Sequence, residues 1–237
     1  IENTPIVELG KPFTLRFDDL NADETYSYYT IQHANADWTV SELFKSEYIN
    51  GFDDVRIRNM TNSSSTLQSY THYALTIPNR NTEIITSGNY ILAVFDDNQK
   101  LIFTKRFVVY EQQANVQVGI FRLRDLEGID SKQRIEIGVQ TANINSRNPN
   151  QEISVWALQN YHWASARKIS KYDYMLSKSL RFEYDNNLIF EGGNEYFFFD
   201  TKDIRSAGGN VAYIRRENLY QSILYPDFVR NGNVYTY

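Results

Sequence analysis

Short segments in which apolar and polar residues alternate recur along most of the chain, and they constrain its fold more than any other feature. Successive side chains of a β-strand point to opposite faces, so a period of two gives each strand one apolar face. Polar turn sequences separate the segments, for example at residues 96–98 and 145–150. Many short strands with turns between them are typical of β-sandwiches. The apolar members of the clearest segments are Phe13, Leu15 and Phe17; Tyr73, Leu75 and Ile77; Tyr90, Leu92 and Val94; Val116, Val118 and Ile120; Ile135, Ile137 and Val139; and Leu180, Phe182 and Tyr184.

The aromatic content supports the same all-β fold class. The 237 residues include 18 Tyr, 14 Phe and 3 Trp, and aromatic side chains suit the half-buried surface of a sheet. We expect Trp38 and Tyr73 to fill the core of the first half. Two stretches depart from the alternation. Residues 39–48 predict a short helix or an irregular crossing, and residues 201–205 predict one helical turn capped by Thr201.

A polar segment at residues 111–114 marks the most probable domain boundary. It separates the strand predicted at residues 107–110 from a new alternating strand that starts at Val116. We therefore predict two tandem β-sandwich domains, an N-terminal domain of residues 1–112 and a second domain of residues 113–237. Residues 232–237 have the pattern of a strand, so we expect the natural protein to continue into a further C-terminal part.

The charge and the residue content exclude several classes of function. The formal net charge is −5, and the basic pairs Arg167-Lys168 and Arg215-Arg216 are too isolated to neutralise a phosphate backbone, so we predict no nucleic-acid partner. There is no cysteine and therefore no disulfide or thiolate site. No run approaches the ~20 apolar residues that span a bilayer. No signal-peptide pattern starts at Ile1, so we expect a signal peptide to be absent or removed.

No catalytic, cofactor or metal motif stands out, so we predict a protein that is not an enzyme. The three histidines lack the spacing of a zinc site, and no GxSxG nucleophile motif is present. The acidic pairs at residues 18–19, 53–54 and 96–97 are adjacent in sequence, which suits turns better than a catalytic cleft. A zinc or base role for His33 with Asp37 is conceivable, but a hydrogen bond that orders a loop is the favoured interpretation. We predict no bound metal or cofactor.

One stretch is rich in the residue types that dominate binding energy at protein interfaces, which are Trp, Tyr and Arg. In a purely structural role, the aromatic side chains of this stretch would cover the second core. In a functional role, they would form a surface that docks a partner. Both stay open at this point. The candidate partner-binding residues are Tyr161, Trp163, Arg167, Tyr172 and Tyr174.

Several motifs taken together resemble the plug protein family of the Bacteroidota type IX secretion system. They occur in a consistent order along most of the chain, although Ala34-Asn35 follow His33 where we expect a Cys-Asp-like pair in relatives. The matching motifs are PIVELG at residues 5–10, LRFDDL at 15–20, YYTIQH at 28–33, ADW at 36–38, EYINGF at 47–52, YTHYALTIPN at 70–79 and SGNY at 87–90, with weaker matches at 159–160 and 192–195.

The resemblance implies a non-enzymatic periplasmic protein with tandem immunoglobulin-like β-sandwich domains, monomeric when free. Such a protein would dock on the periplasmic side of the outer-membrane β-barrel translocon and close its pore while no substrate passes. Because a plug must also leave, we expect a polar, partly wet interface. Two other classes stay open, a carbohydrate-binding β-sandwich module of the cell envelope and an envelope enzyme such as a glycosidase accessory domain.

Overall fold

The computed structural model describes residues 4–23, 25–141, 143–192 and 198–228. Most elements are β-strands. The helical elements in these ranges are the one-turn helices α1 (Lys45–Tyr48) and α2 (Pro149–Glu152) and two 3-10 turns, Trp163–Ser165 and Asn186–Leu188. This composition confirms the all-β class that the alternation predicts.

The chain divides into two compact units. The first unit comprises Ile1–Asn115, Thr141–Ser146 and Trp156–Ala166, and the second comprises Val116–Gln140, Arg147–Val155 and Arg167–Tyr237. Two segments from the later half of the sequence therefore belong to the first unit. The organisation of residues 113–237 as one immunoglobulin-like sandwich stays a prediction, and residues 232–237 lie outside the described part of the chain.

Ten strands of the first unit form two main sheets and one short strand pair. The order is β1-β10-β9-β3-β5 in the five-stranded sheet and β2-β7-β6 in the three-stranded sheet, and β4 pairs with β8. The strand β1 runs parallel to β10. The strands are β1 (Ile6–Glu8), β2 (Phe13–Asp19), β3 (Tyr28–Ala34), β4 (Ile49–Gly51), β5 (Val55–Arg56), β6 (Asn59–Asn62), β7 (Thr71–Ile77), β8 (Thr82–Ile84), β9 (Gly88–Phe95) and β10 (Leu101–Tyr110).

The core of the first unit lies between its two main sheets, as the alternation predicts. Every second residue of β7 is buried, and β9 shows the same period along its central part. Phe17 of β2 stacks on Tyr73 of β7 with ring centroids 4.9 Å apart. The buried cluster is Tyr29, Ile31, Tyr48, Ile49, Ile57, Tyr73, Leu75, Ile77, Ile84, Tyr90, Leu92, Val94, Phe107 and Val109.

Three of the four buried tyrosines of this core, Tyr29, Tyr73 and Tyr90, have a hydroxyl group with a hydrogen-bond partner. The Tyr29 hydroxyl lies 2.6 Å from Thr82 Oγ1. The Tyr73 hydroxyl donates to the carbonyl oxygen of Thr25 at 2.7 Å, and that of Tyr90 donates to Thr86 at 2.6 Å. Burial raises the pKa of the Tyr90 hydroxyl, because the phenolate would lose its hydration. Without such partners, burying each hydroxyl would oppose folding.

Within the described residues, nine further strands follow β10. Four of them form a sheet in the order β11-β12-β16-β15, in which β17 also pairs with β12, and β18 and β19 form a hairpin. The buried side chains of this part include Ile137, Val139, Leu180 and Phe182. The strands are β11 (Asn115–Arg122), β12 (Lys132–Gln140), β13 (Val155–Ala157), β14 (Arg167–Ile169), β15 (Tyr174–Leu176), β16 (Ser179–Phe182), β17 (Ile189–Glu191), β18 (Val211–Arg216) and β19 (Tyr220–Leu224).

Two local predictions are wrong. Residues 201–205 form no helical turn, because the Asp203 carboxylate accepts hydrogen bonds from the backbone nitrogen of Arg205 and the hydroxyl of Ser206, both at 2.9 Å. Such local bonds compete with helix formation. The strand predicted to include Tyr184 ends at Phe182, and Tyr184 is exposed.

The hairpin between β15 and β16 turns on two residues with positive φ, Ser177 at 48° and Lys178 at 64°. Two successive residues of this kind define a type I′ turn, which matches the twist of the flanking strands and favours Asn-Gly. Residues with a Cβ are strained in this conformation. The Ser177-Lys178 turn therefore fixes the register of β15 at some cost in stability.

We expect Leu92→Ala to lower the free energy of unfolding by about 3 kcal/mol, because it opens a cavity in a closely packed core. Leu92 is 2% exposed. Ile102→Ala is the control, since Ile102 is 51% exposed on β10, and it should cost less than about 1 kcal/mol. Urea denaturation of both variants measures the difference, and equal losses would contradict the assigned core.

We expect Lys178→Gly to be more stable than Lys178→Ala by about 1 kcal/mol, because glycine carries no penalty at positive φ. Both variants remove the same side chain beyond Cβ, so the comparison isolates the backbone strain. Urea denaturation is again the measurement. Equal stability of the two variants would show that the turn is not strained.

Candidate functional site

The five candidate partner-binding residues do not belong to one unit. Tyr161 and Trp163 lie in the first unit, whereas Arg167, Tyr172 and Tyr174 lie in the second.

Trp163 has an aromatic partner within the first unit. It opens the 3-10 turn Trp163–Ser165 and packs edge-to-face on Trp38, with ring centroids 5.4 Å apart at 83°. The Arg106 guanidinium carbon lies 5.0 Å from the Trp38 ring centroid, a distance at which a cation is attracted to the ring. Trp163 thus attaches the segment 156–166 to the loop after β3.

The expectation that Trp38 fills the core is wrong. Trp38 is half-buried and lies in a tight turn with a φ of 69°. The Asp37 carboxylate accepts a hydrogen bond from the backbone nitrogen of Thr39 at 3.0 Å and holds this turn. Because the turn lies outside the alternating part of β3, the ring packs on Trp163 and Arg106 instead of entering the core.

Tyr161 is the most exposed of the five candidates, at 74%. It lies in a turn in which Asn160 and Tyr161 have φ values of 53° and 56°. The Ser165 hydroxyl braces this turn, since it accepts from the backbone nitrogen of Gln159 at 3.0 Å and donates to the carbonyl oxygen of His162 at 2.6 Å. An exposed aromatic ring on a braced turn suits a contact with a partner, because little backbone freedom is lost on binding.

Arg167 makes its contacts within the second unit. Its guanidinium carbon lies 4.5 Å from the ring centroid of Phe190, and the group donates a hydrogen bond to the carbonyl oxygen of Ile189. Both Arg167 and Tyr172 are half-buried. These contacts assign Arg167 a packing role in the second unit.

Tyr174 lies on β15, which is the last strand of its sheet among the residues that the structure describes. Its hydroxyl donates to Glu183 Oε1 at 2.7 Å, and this hydrogen bond to a carboxylate raises the pKa of Tyr174. The next two residues, Met175 and Leu176, are 49% and 59% exposed. The exposed side chains of Tyr174, Met175 and Leu176, which alternate between the two faces of this strand, are named here the β15 edge.

Sequence reasoning missed Met175 and Leu176. Three consecutive large apolar side chains on a short strand cannot all face one core, because neighbouring side chains point to opposite faces. The run of three large apolar residues could therefore have predicted from the sequence that part of this strand is exposed. The unpaired backbone groups of an edge strand can also accept a strand from another protein.

The opposite edge of the same sheet, β11, is also apolar and exposed. Val116, Val118 and Ile120 are 54%, 59% and 58% exposed. They alternate as predicted, but the face they share is not buried within the described part of the chain. Alternation alone identifies a strand and does not reveal whether its apolar face is covered.

Four aspartates line one open cavity of about 570 Å³ in the first unit, beside Lys45. They are Asp53, Asp54, Asp96 and Asp97. Asp53 accepts from the backbone nitrogen of Ile31 at 3.0 Å and pairs with Lys45, and Asp96 accepts from two turn nitrogens. The Asp53 and Asp96 carboxylates therefore stabilise the local backbone structure. Across the described ranges, no group of three or more His, Cys, Asp or Glu side chains could hold a metal ion.

His33 orders the loop after β3, as predicted from the sequence. His33 Nδ1 lies 2.9 Å from the Ser41 hydroxyl, and the ring packs edge-to-face on Tyr90. This confirms the favoured interpretation of His33. His72 instead pairs with Asp18 at 2.6 Å between neighbouring strands, and His162 is exposed beside Tyr161.

These features define a class of protein: an all-β protein with exposed apolar side chains on β11, on β15 and on the braced turn at Tyr161. Residues 1–111 match the family model of the type 9 secretion system plug protein 1st domain. This match confirms the resemblance that the motifs of the first half show to the plug family.

A solved structure extends the similarity beyond these residues. The crystal structure of a hypothetical protein from Parabacteroides merdae is similar to 98% of this chain, with 29% sequence identity and a TM-score of 0.91. The present chain spans 60% of the length of that protein chain. No curated protein sequence matches. None of the helices in the described ranges has the length and apolar character needed to cross a membrane.

We expect the Trp38–Trp163 contact to stabilise the first unit, with a coupling energy of about 0.5–1.5 kcal/mol for such a ring pair. Urea denaturation of Trp38→Ala, Trp163→Ala and the double variant gives this coupling energy. Additive effects of the two substitutions would contradict the contact and would leave Trp163 free to bind a partner.

Proposed function

We propose that the protein is a non-enzymatic periplasmic component of type IX secretion. It docks on the periplasmic side of the outer-membrane β-barrel translocon and closes the pore while no substrate passes. The match of residues 1–111 to the plug family's first domain is the observation that carries this proposal. Since related chains are longer, the role belongs to the full-length protein.

The physical requirement for a plug is a body that resists deformation and presents a broad surface. The first unit supports this role, because its two sheets enclose a continuous core in which Tyr29, Tyr73 and Tyr90 are at most 1% exposed. Close packing of this kind gives an interior of low compressibility. A net charge of −5 on the chain favours solubility in water.

The proposed contacts with the translocon are Tyr161 on its braced turn and Tyr174 with its neighbours on the β15 edge. Both surfaces are exposed and apolar, and contacts inside the protein hold each of them in place. Trp163 and Arg167 support these surfaces through Trp38 and Phe190. Tyr172, which is half-buried and lies two residues before Tyr174 in the sequence, is also a proposed contact. An edge strand can add to an exposed strand of a partner through backbone hydrogen bonds.

The alternatives have weaker support. A carbohydrate-binding module needs aromatic rings in one plane, and Trp38 and Trp163 are nearly perpendicular at 83°. A glycan array tests this alternative. An envelope enzyme would need carboxylates free to react, and Asp53 and Asp96 already hold local structure.

We expect the full-length protein, purified from its native envelope, to capture a much larger outer-membrane barrel protein. Leu176→Glu should weaken this capture about tenfold or more, because it places a charge on the apolar β15 edge. Leu126→Glu is the control, since Leu126 is 86% exposed in the same unit and outside that edge. Mass spectrometry of the captured proteins is the measurement.

Deletion of the gene should make the outer membrane leaky to small molecules, and the wild-type gene should restore the barrier. If the barrel protein is not captured and permeability is unchanged, pore closure is excluded. If capture is equal for the Leu176 and Leu126 variants, the protein docks through another surface.

A further inference from the structure

A cavity of about 300 Å³ opens on the first unit between β5, β6, β7 and the turn after β7. Its lining includes three arginines, Arg56, Arg58 and Arg80, and none of the described residues that line it is acidic. The chain as a whole has an excess of acidic residues, so this concentration of positive charge is local. We name it the arginine pocket.

Arg56 is held in place and has an unused donor. Its guanidinium carbon lies 3.3 Å from the ring centroid of Tyr26, which fixes the group against an aromatic face. Its Nε atom is buried and has no hydrogen-bond partner within the described part of the protein. A buried donor without an acceptor is costly, and such a group in a native structure commonly indicates a bound water or ion.

Arg58 and Arg80 are exposed at the pocket. Neither forms an ion pair with any residue in the described ranges. Guanidinium groups donate paired hydrogen bonds that fit the geometry of carboxylate and phosphate oxygens. Three such groups around one concave surface attract anions more strongly than the same charges spread over a flat face.

The floor of the pocket is ordered by hydrogen bonds. The Asn79 side-chain nitrogen donates to the Tyr29 hydroxyl at 3.1 Å and to the carbonyl oxygen of Thr76 at 3.0 Å. Its oxygen accepts from the backbone nitrogens of Asn81 and Thr82 at 2.9 and 3.1 Å. The turn that carries Arg80 is therefore fixed to the buried core, so the pocket is largely formed before a ligand binds.

The walls limit the size and the character of the ligand. Val55, Ile57 and Leu75 contribute apolar surface, and the volume lies at the lower end of the range for small-molecule sites. The pocket therefore suits one charged group on a short apolar stem.

We propose that the arginine pocket binds an oxyanion, either the carboxylate of an acidic side chain or chain end, or a phosphate group. The guanidinium groups of Arg56, Arg58 and Arg80 supply the donors. This inference goes beyond pore closure and does not depend on it, because the pocket lies wholly in the first unit and involves none of the proposed translocon contacts.

The test is titration of the ¹⁵N-labelled chain with sodium phosphate and, separately, with N-acetylglutamate, each against sodium chloride at matched ionic strength. We expect shift changes confined to amide groups around residues 55–59 and 74–82. The double variant Arg58→Ala/Arg80→Ala should weaken binding about tenfold or more. Lys100→Ala is the control, since it removes one positive charge at an exposed site of the same unit outside the pocket, and it should bind like the wild type.

The two ligands distinguish the source of the oxyanion. Binding of N-acetylglutamate alone assigns the pocket to carboxylates, binding of phosphate alone assigns it to phosphate groups, and either result supports an oxyanion site. Sodium chloride giving the same shifts, or unchanged binding in the double variant with a native spectrum elsewhere, would overturn the proposal. Failure of this test would leave pore closure unaffected, and failure to capture the translocon would leave the pocket unaffected.

Discussion

The hydrogen bonds of three buried tyrosine hydroxyls are the constraint on which the first unit depends. Tyr29, Tyr73 and Tyr90 supply large aromatic surface to the core, and each carries a polar group that opposes burial unless it is bonded. The partners are Thr82, the first residue of β8, and Thr25 and Thr86 in connecting segments. The core therefore holds the loops as well as the sheets, and the loops take up defined positions at the surface.

The surface features follow from that arrangement. Asn79 bonds to Tyr29, so the turn that carries Arg80 is fixed to the core. His33 packs on Tyr90 and bonds to Ser41, so the loop after β3 is ordered from the same place. Trp38 in that loop packs edge-to-face against Trp163. A protein that works by contact with a partner needs such surfaces to be set before binding, because ordering them later would reduce affinity.

The alternation of apolar residues was sufficient to predict the class of fold and the buried faces of the first unit. It succeeded at Tyr73, Leu75 and Ile77 because both sheets of that unit cover them. The same pattern at Val116, Val118 and Ile120 gave the strand but not its exposure, since burial depends on what packs against a face. At residues 201–205, the bonds to the Asp203 carboxylate decided the local structure.

The candidate sites were harder to predict from the sequence than the fold. The arginine pocket combines residues from separate strands and a turn, which only strand pairing brings together. Trp38 and Trp163 are far apart in the sequence, so their contact had no local signal. Of the residues predicted to bind a partner, Tyr161 and Tyr174 are exposed, but the prediction did not anticipate the contacts that Trp163 and Arg167 make inside the protein.

Hydrogen–deuterium exchange of the protein, alone and mixed with the outer-membrane barrel protein proposed as its partner, tests whether the β15 edge and the turn at Tyr161 form the docking surface. If the β15 edge docks by strand pairing, the amide groups of residues 174–176 and the turn at Tyr161 become protected in the complex. The exchange of the core strands β7 and β9 would stay the same. Unchanged exchange at both surfaces, together with new protection elsewhere on the protein, would contradict the account.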